Sequence, residues 1–298
     1  MQYLLGIFIP NKPSKPDTLT VDRNAVGESV NIVYSNSTVR KNSIRILSFN
    51  CKNVLSCGPF FEEAYNHMDI CLLQEHWLFN CQIDNLNELH EHLNGIGKSV
   101  DDRDPITPVQ MPRGYGGVGI LWRKEMDSLI TTLDIGNERI QCVEVRGDKK
   151  KLLLVSVYLP CRGSNNNISE LQECVDILYE IVQSFSGTHC ILVGGDFNEN
   201  IFIKSGLTRN QYILDFMEEC KFSAKEIGKT FIHSNGVDNH YPIQAEINFE
   251  FSIGSNELKS SKRGKIYCKV NWDKLDKDKY QESIESKCWI APVESLQL

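Results

Sequence analysis

Residues 44 to 50 of the chain read IRILSFN, and residues 69 to 75 read DICLLQE. Each stretch is an apolar run of strand length that ends in a polar side chain, Asn50 in the first and Glu75 in the second. The stretch between them, Pro59 to His67, predicts a short helix. Strands that alternate with helices in this way predict sheets at the centre of the fold and helices as its outer layers.

Further strand-length runs follow along the chain. Ile140 to Arg146 and Leu152 to Leu159 flank Gly147-Asp148 and predict an antiparallel hairpin. The last run, Ile243 to Phe251, alternates apolar and polar residues and predicts a strand with one buried face. Gly116 to Arg123 and Cys190 to Val193 predict two more strands, and capped helices are predicted from Ser169 and over Thr208 to Cys220.

Composition limits the class of protein. The chain is 41% hydrophobic and 24% charged, which excludes a disordered or collagen-like protein. Its 39 acidic residues outnumber 32 basic ones and give a net charge of -7, which argues against coating of nucleic acid by charge alone. The 11 cysteines are odd in number and never spaced C-x-x-C, which favours a reducing compartment. No apolar run approaches the roughly 20 residues that cross a bilayer, so no membrane partner is expected.

Three segments are expected along the chain. Residues 1–43 predict a flexible leader, because most of this stretch is polar and lacks periodicity, although Tyr3 to Pro10 alone favours a strand or an apolar tail. Residues 44–251 show no linker-like shift in composition and predict a single domain. Residues 252–298 predict a basic tail, either solvated or contacting phosphates, since eight basic residues face three acids between Lys259 and Lys279.

Polar residues at the ends of the predicted strands are the candidate site. Asn50 and Glu75 end the first two strands, Asp196 and Asn198 follow a buried strand in GGDFN, and His240 precedes the last strand. Each of them alone is as typical of a turn or of a solvated strand end. Together they predict a site, because strand ends on one edge of stacked sheets converge in space.

This set of residue types suits phosphodiester hydrolysis. Carboxylate and amide oxygens, such as those of Glu75 and Asn50, are the ligands that Mg²⁺ prefers. A carboxylate such as Asp196 can deprotonate an attacking water, which Asn198 can hold, and a protonated His240 can stabilise charge on phosphate oxygens.

The blocks SFN, LLQEHW, YGGVGILW, SVYLP, GGDFN and HYPI, in this order, resemble the endonuclease/exonuclease/phosphatase superfamily, the fold of DNase I. The residues of these blocks are most similar to those of the endonuclease domain of LINE-type non-LTR retrotransposons. The resemblance implies an α+β fold, a four-layer α/β/β/α sandwich. It also implies a Mg²⁺- or Mn²⁺-dependent nuclease in the nucleus that nicks target DNA, with no obligate protein partner. The end of the chain resembles a connector to a reverse transcriptase, which is missing from this sequence.

The same resemblance implies individual roles. Metal-site residues would be Asn50, Glu75 and Asn239, while Tyr158 would contact the scissile phosphate. Asp196 would activate water, Asn198 would position it, and His240 would be the phosphate-stabilising histidine. Arg113, Arg123, Lys124 and Arg162 lie near strand ends and are candidates for contact with a DNA backbone, or are solvated side chains.

Two departures from the family pattern predict weakened catalysis. Asn239 stands where the family carries Asp, and an amide cannot supply its negative charge. Only Ile232 to Asn239 separate Thr230-Phe231 from His240, so the strand whose Asp orients the histidine is absent and the C-terminal sheet is predicted to be shortened. A phosphatase or lipid phosphodiesterase on the same fold, and a catalytically dead nucleic-acid-binding relic, remain alternatives.

Overall fold

The computed structural model describes residues 4–8, 38–107, 112–163, 167–202, 204–225 and 242–254, with the backbone alone for 4–8, 38, 167 and 223–225. All of them belong to one compact unit, Met1–Lys259. A second unit, Ser260–Leu298, lies outside the described residues and contains most of the predicted basic tail. No helix in the described ranges is long and apolar enough to cross a bilayer.

The described chain contains strands, α-helices and short 3-10 helices. The strands are β1 (Leu4–Phe8), β2 (Thr38–Asn50), β3 (Ile70–Gln74), β4 (Leu93–Lys98), β5 (Val118–Arg123), β6 (Ile130–Asn137), β7 (Ile140–Arg146), β8 (Lys151–Tyr158), β9 (His189–Asp196), β10 (Ser223–Lys225) and β11 (Ile243–Gly254). The α-helices are α1 (Gly58–Ala64), α2 (Asn167–Phe185) and α3 (Thr208–Glu219), and short 3-10 helices cover Val54–Ser56, Asn80–Asn87 and Lys124–Leu129.

The strands form two sheets. One has the order β10-β1-β9-β8-β7-β6, and the other has the order β11-β2-β3-β5-β4. The predicted hairpin is confirmed, because β7 and β8 pair antiparallel with Arg146 opposite Lys151. In each sheet the two strands that end in candidate site residues are parallel: β2 lies beside β3, and β8 lies beside β9. Parallel neighbours end at the same edge of a sheet, so this pairing collects the polar strand ends.

Three hydrophobic clusters hold four layers together. Alternate residues of each sheet face the other sheet and fill the central cluster, as in Ile46, Leu72, Leu154 and Leu192. The opposite face of the first sheet packs against α2 and α3, and that of the second sheet packs against α1. The predicted α/β/β/α sandwich is therefore confirmed.

The start of the chain forms a strand, which was one of the two expectations for Tyr3 to Pro10. Leu4–Phe8, inside the segment predicted as a flexible leader, forms β1 and lies between β9 and β10, with Leu4 opposite Gly195. The second strand begins at Thr38, six residues before the predicted Ile44. Among the described residues this sheet has six strands, with β1 between β9 and β10. The predicted shortening concerns Ile232 to Asn239, which lie outside the described residues, and it stays a prediction. Local periodicity does not predict a pairing between segments so far apart in sequence.

Three strands, β4, β6 and β10, are absent from the sequence prediction. The glycines of β4, LNGIGK, are typical of a turn. Here they allow close packing, since a Cβ on Gly95 would lie 2.3 Å from Leu121 Cδ2. The last helix and the last strand agree with the prediction to within a few residues, at Thr208–Glu219 and Ile243–Gly254.

Candidate functional site

The ends of β2, β3 and β9 meet at one point. The side chain of Asn50 donates from Nδ2 to Glu75 Oε1 at 2.6 Å and to Asp196 Oδ2 at 3.0 Å. Asn50 and Glu75 belong to one sheet and Asp196 to the other, so the amide links the two sheets. The predicted convergence of these side chains is present in the structure.

A polar layer lies beneath this cluster, on the faces that the two sheets turn toward each other. Gln74 Nε2 donates to Ser156 Oγ at 3.2 Å, and Ser48 Oγ donates to Gln74 Oε1 at 3.4 Å. The hydroxyl of Ser156 donates in turn to the Leu73 carbonyl at 3.1 Å. Because buried polar groups need partners, this connected layer separates the dry core from the site at little cost in unpaired groups.

The segment that carries Glu75 has an unusual backbone. Glu75 and Trp77 both adopt left-handed conformations, with φ of 56° and 61°. Hydrogen bonds hold them there, from Glu75 N to the Gly117 carbonyl at 2.9 Å and from Trp77 N to the Gly116 carbonyl at 3.0 Å. Among the described residues, six non-glycine residues have a positive φ, and five of them follow the strands that form the site: Lys52, Asn53, Glu75, Trp77 and Asn198. Such conformations cost on the order of 1–3 kcal/mol each and cluster at functional sites.

His76 anchors the same segment from inside. Its ring is fully buried, Nδ1 accepts a hydrogen bond from Leu78 N at 3.0 Å, and Nε2 donates to the Lys98 carbonyl at 3.1 Å. Burial lowers the pKa of His76 to about 4, so the ring is neutral at physiological pH. The space is tight, since a Cβ on Gly117 would lie 2.3 Å from His76 Cε1. His76 is therefore a structural residue of the loop.

Three side chains surround the Glu75 carboxylate. Asn50 donates to Oε1, and the indole Nε1 of Trp77 donates to Oε2 at 3.3 Å. Tyr158 lies on the third side, near enough for the Glu75 charge to act on its hydroxyl. Burial, together with the negative charges of Glu75 and Asp196, raises the pKa of Tyr158 well above its usual range, so the phenol stays protonated.

Asp196 is completely buried at the end of β9. Its Oδ1 accepts from Asn198 N at 3.0 Å, and its Oδ2 accepts from Asn50. Burial raises the pKa of Asp196 and the nearby Glu75 charge adds to this, against the opposing effect of the two hydrogen bonds. The site therefore holds two acidic groups whose mutual repulsion a cation would relieve.

Asn198 lies next to the base of this cluster. Its Nδ2 donates to the Leu159 carbonyl at 2.8 Å, and Leu159 N donates to the Asp196 carbonyl at 2.9 Å. These bonds join the loops that follow β8 and β9. The amide nitrogen of Asn198 thus fixes the loop, and its Oδ1 is the atom that suits the predicted contact with water.

An ion-pair network that sequence reasoning missed supports these loops. The Glu199 carboxylate is fully buried and accepts from Arg162 at 3.0 and 2.6 Å and from Arg209 Nε at 2.9 Å. Although burial opposes it, the bonds from Arg162 and Arg209 lower the pKa of Glu199. Arg209 also donates to the Pro160 carbonyl. In the sequence, only the position of Glu199 directly after GGDFN pointed to a role for this residue near the site.

The basic candidates for DNA contact divide into two pairs. Arg113 lies over the Trp77 ring at 5.0 Å, and Arg162 binds Glu199, so both lie beside the site. Arg123 and Lys124 lie at the opposite end of β5, whose first residue pairs with Gln74. Arg123 donates to the Met68 carbonyl at 2.7 Å, which makes it a structural residue.

Two predicted site residues, Asn239 and His240, lie outside the described residues. The described chain resumes at Pro242, and β11 begins with Ile243 opposite Ser48, two residues before Asn50. The remaining predicted residues, Asn50, Glu75, Tyr158, Asp196 and Asn198, lie together at the strand ends.

The donor atoms of the cluster fit a hard divalent cation. Asn50 Oδ1 is buried and has no hydrogen-bond partner among the described residues, next to two carboxylates. This oxygen, rather than the Nδ2 that donates to the carboxylates, would be the ligand atom of Asn50. No group of three or more His, Cys, Asp or Glu is arranged for a metal in the described ranges. Two carboxylates and an amide nevertheless suit Mg²⁺ or Mn²⁺, which keep several waters.

Comparison with known proteins identifies the family. The model of the endonuclease/exonuclease/phosphatase family matches residues 47–205, which is more than half of the chain. A search with this chain against curated protein sequences found no match.

Among solved structures, the fold is similar to the AP endonuclease LMAP from Leishmania major, with 11% identity, a TM-score of 0.51, and coverage of 70% of this chain and 88% of that chain. It is also similar to the 3′ phosphatase NExo from Neisseria (13%, TM-score 0.47, 68% and 98%). A third similar structure is the endonuclease domain of TRAS1, a telomere-specific non-LTR retrotransposon (12%, TM-score 0.48, 70% and 98%). At these identities the likeness is one of fold. With the family match and the order of its sequence blocks, the chain belongs to the endonuclease/exonuclease/phosphatase family.

Proposed function

We propose that this chain is a divalent-metal-dependent phosphodiesterase whose substrate is DNA and whose reaction is the nicking of one strand, as in the endonuclease of a LINE-type retrotransposon. One observation carries the proposal: the Asn50 amide joins Glu75 and Asp196 across the two sheets at 2.6 and 3.0 Å. Family membership supports phosphodiester or phosphomonoester hydrolysis as the reaction class.

We assign metal binding to Glu75, Asn50 and Asn239. A bound Mg²⁺ or Mn²⁺ would neutralise charge on the phosphate oxygens and so favour attack at phosphorus. Glu75 supports this assignment because its carboxylate lies at the rim of the cluster and is partly exposed. The unpaired Oδ1 of Asn50 supports it as well.

The remaining residues have complementary roles in this proposal. Asp196 accepts the proton of the attacking water, which suits a buried carboxylate with a raised pKa. Asn198 orients that water through its side-chain carbonyl. Tyr158, which stays protonated, donates a hydrogen bond to a phosphate oxygen, and His240 stabilises the charge that develops there. With Asn239 in place of Asp, His240 lacks a charged partner beside it in sequence, and we expect a low rate.

Localisation and segment roles follow from the same proposal. We infer a nuclear protein, and reduced thiols at buried positions such as Cys71 and Cys142 are in keeping with a reducing compartment. Residues 44–251 would be the endonuclease domain, and residues 252–298 the basic connector. Arg113 and Arg162, beside the site, are the residues we assign to the DNA backbone.

Nicking of supercoiled plasmid in the presence of Mg²⁺ tests the proposal. We expect slow nicking by the wild type, abolished by EDTA and reduced at least about 10³-fold in Asp196→Asn, since loss of a catalytic carboxylate removes this much rate. Asp176→Asn makes the same change on the exposed face of α2 and should leave nicking intact. Equal nicking by wild type and Asp196→Asn contradicts the proposal. DNA binding without nicking identifies a relic, and release of phosphate from monoesters identifies a phosphatase.

A further inference from the structure

We propose that Trp77 is a positioning residue for the metal-binding carboxylate: its indole N–H fixes the orientation of Glu75, and Arg113 holds the indole in place. This inference rests on the proposed function and deepens it. It concerns a side chain to which the sequence analysis gave no role.

The contact itself is direct. Trp77 Nε1 donates to Glu75 Oε2 at 3.3 Å, while Asn50 donates to Oε1. Each oxygen of the carboxylate thus has its own side-chain donor. A carboxylate held at both oxygens keeps one rotamer, whereas a carboxylate held at one oxygen can rotate.

The backbone is shaped to make this contact. Glu75 and Trp77 are both left-handed, with φ of 56° and 61°, and the buried His76 lies between them. In an ordinary strand, the side chains of residues i and i+2 lie on the same face and point in roughly the same direction, so the end of one side chain does not turn back toward the other. The double left-handed turn instead folds the indole back over the carboxylate. A loop that only needed to connect two strands would not require this conformation.

The surroundings of Trp77 also favour a positioning role over core packing. The indole is partly exposed at the rim of the site and belongs to none of the three hydrophobic clusters. The guanidinium of Arg113 lies 5.0 Å from its ring centre, in a cation–π contact. This contact covers one face of the ring and restricts its rotation.

The molecule contains a matched contact for comparison. Trp122 Nε1 donates to Asp127 Oδ1 at 2.7 Å, but Trp122 is buried in the central cluster and lies away from the site. Trp77→Phe and Trp122→Phe therefore remove the same chemical group, an indole N–H bound to a carboxylate. Only the first is expected to change metal binding.

Direct binding of Mn²⁺, measured by electron paramagnetic resonance, tests the inference without any need for activity. We expect Trp77→Phe to weaken Mn²⁺ binding about tenfold, at the low end of the effect of removing a partner of a metal ligand, because the bond is long. Trp122→Phe should leave binding within twofold of the wild type. Arg113→Ala should weaken Mn²⁺ binding by about two- to threefold. Arg113→Lys, which keeps a cation over the ring, should weaken Mn²⁺ binding less than Arg113→Ala does. Binding by Trp77→Phe within twofold of the wild type overturns the inference.

A second measurement keeps the test decisive if Trp77→Phe does not fold. The indole N–H signal of Trp77 in a proton–nitrogen spectrum of the metal-free protein should shift in Glu75→Gln, and an unmoved signal refutes the contact. The two proposals also separate: wild-type Mn²⁺ binding without nicking contradicts the proposed function but leaves the positioning role standing. Absence of Mn²⁺ binding in the wild type overturns both.

Discussion

The interface between the two sheets has two ends that differ in chemistry. At one end, Ile46 on β2 and Leu154 on β8 lie in a fully buried apolar cluster. Four residues further along the same strands, on the same faces, stand Asn50 and Tyr158. The apolar end stabilises the sandwich, and the polar end contains buried charge and left-handed backbone that reduce stability. The site is therefore possible because the other end of the same strands supplies the free energy that holds it in place.

The layer of Ser48, Gln74 and Ser156 lies between the apolar end and the polar end of the interface and separates them. The side chains of this layer are linked by hydrogen bonds to one another and to the Leu73 carbonyl. Among the described residues, two buried side-chain polar atoms have no hydrogen-bond partner, Asn50 Oδ1 and Ser99 Oγ. A buried polar atom without a partner costs about 1–3 kcal/mol. Retention of such an atom at Asn50, directly beside two carboxylates, is what a ligand site predicts.

Truncation at the apolar end should have the largest effect on stability. We expect Leu154→Ala to lower the free energy of unfolding by about 2–5 kcal/mol, because it removes buried contacts and leaves a cavity. Tyr158→Phe, on the same strand and face, should cost about 1 kcal/mol or less while it reduces nicking. Denaturant unfolding of both variants checks this contrast. Similar losses of stability at the two positions would show that the ends do not differ as described.

Acid should weaken the loop that carries Glu75 and Trp77 at the polar end. The pKa of His76 is about 4 in the folded chain against 6.5 for the ordinary group, so the unfolded chain binds a proton more readily between these values. Stability is thus complete above pH 6.5 and falls as the pH drops toward 4, by up to on the order of 3 kcal/mol. Thermal unfolding of wild type and His76→Gln across this pH range checks the prediction. Tm should depend less steeply on pH in the variant than in the wild type. His67→Gln, a change outside the core clusters, is the control.

Removal of charge at the polar end should have a smaller effect with the opposite sign. The folded pKa of Asp196 is raised, so the stability it contributes is present at low pH and lost as the pH rises. Asp196→Asn should therefore raise Tm at pH 7 by about 2–4 °C, equivalent to about 1 kcal/mol, and the gain should disappear near pH 4.

Asp69 is the matched control for the predicted direction of the Tm change. It is also buried, but bonds from Arg45 outweigh its burial and lower its pKa. Asp69→Asn should therefore lower Tm at pH 7. A fall in Tm for both variants would indicate that Asp196 is a structural carboxylate like Asp69.

Sequence alone predicted the layers and most of the strand ends, for identifiable reasons. Period-two alternation and the polar residue that ends each run are local signals, and parallel neighbours bring such ends together. The pairing of Leu4–Phe8 with β9, the left-handed turn at Glu75 and Trp77, and the Glu199 ion pairs depend on contacts between distant segments. No local pattern encodes them. The catalytic and metal-binding roles of all the predicted site residues stay predictions, and Asn239 and His240 lie outside the described residues.

The most direct test of the account is the response of Tm to Mn²⁺. Metal that binds only the folded chain stabilises it, by about 2.7 kcal/mol at a concentration one hundred times its Kd. We predict that Asp196→Asn is more stable than the wild type without metal. Saturating Mn²⁺ should raise Tm of the wild type much more than that of Asp196→Asn or Glu75→Gln. Equal shifts in all three proteins, or no shift in the wild type, would contradict a cation site at the joined strand ends.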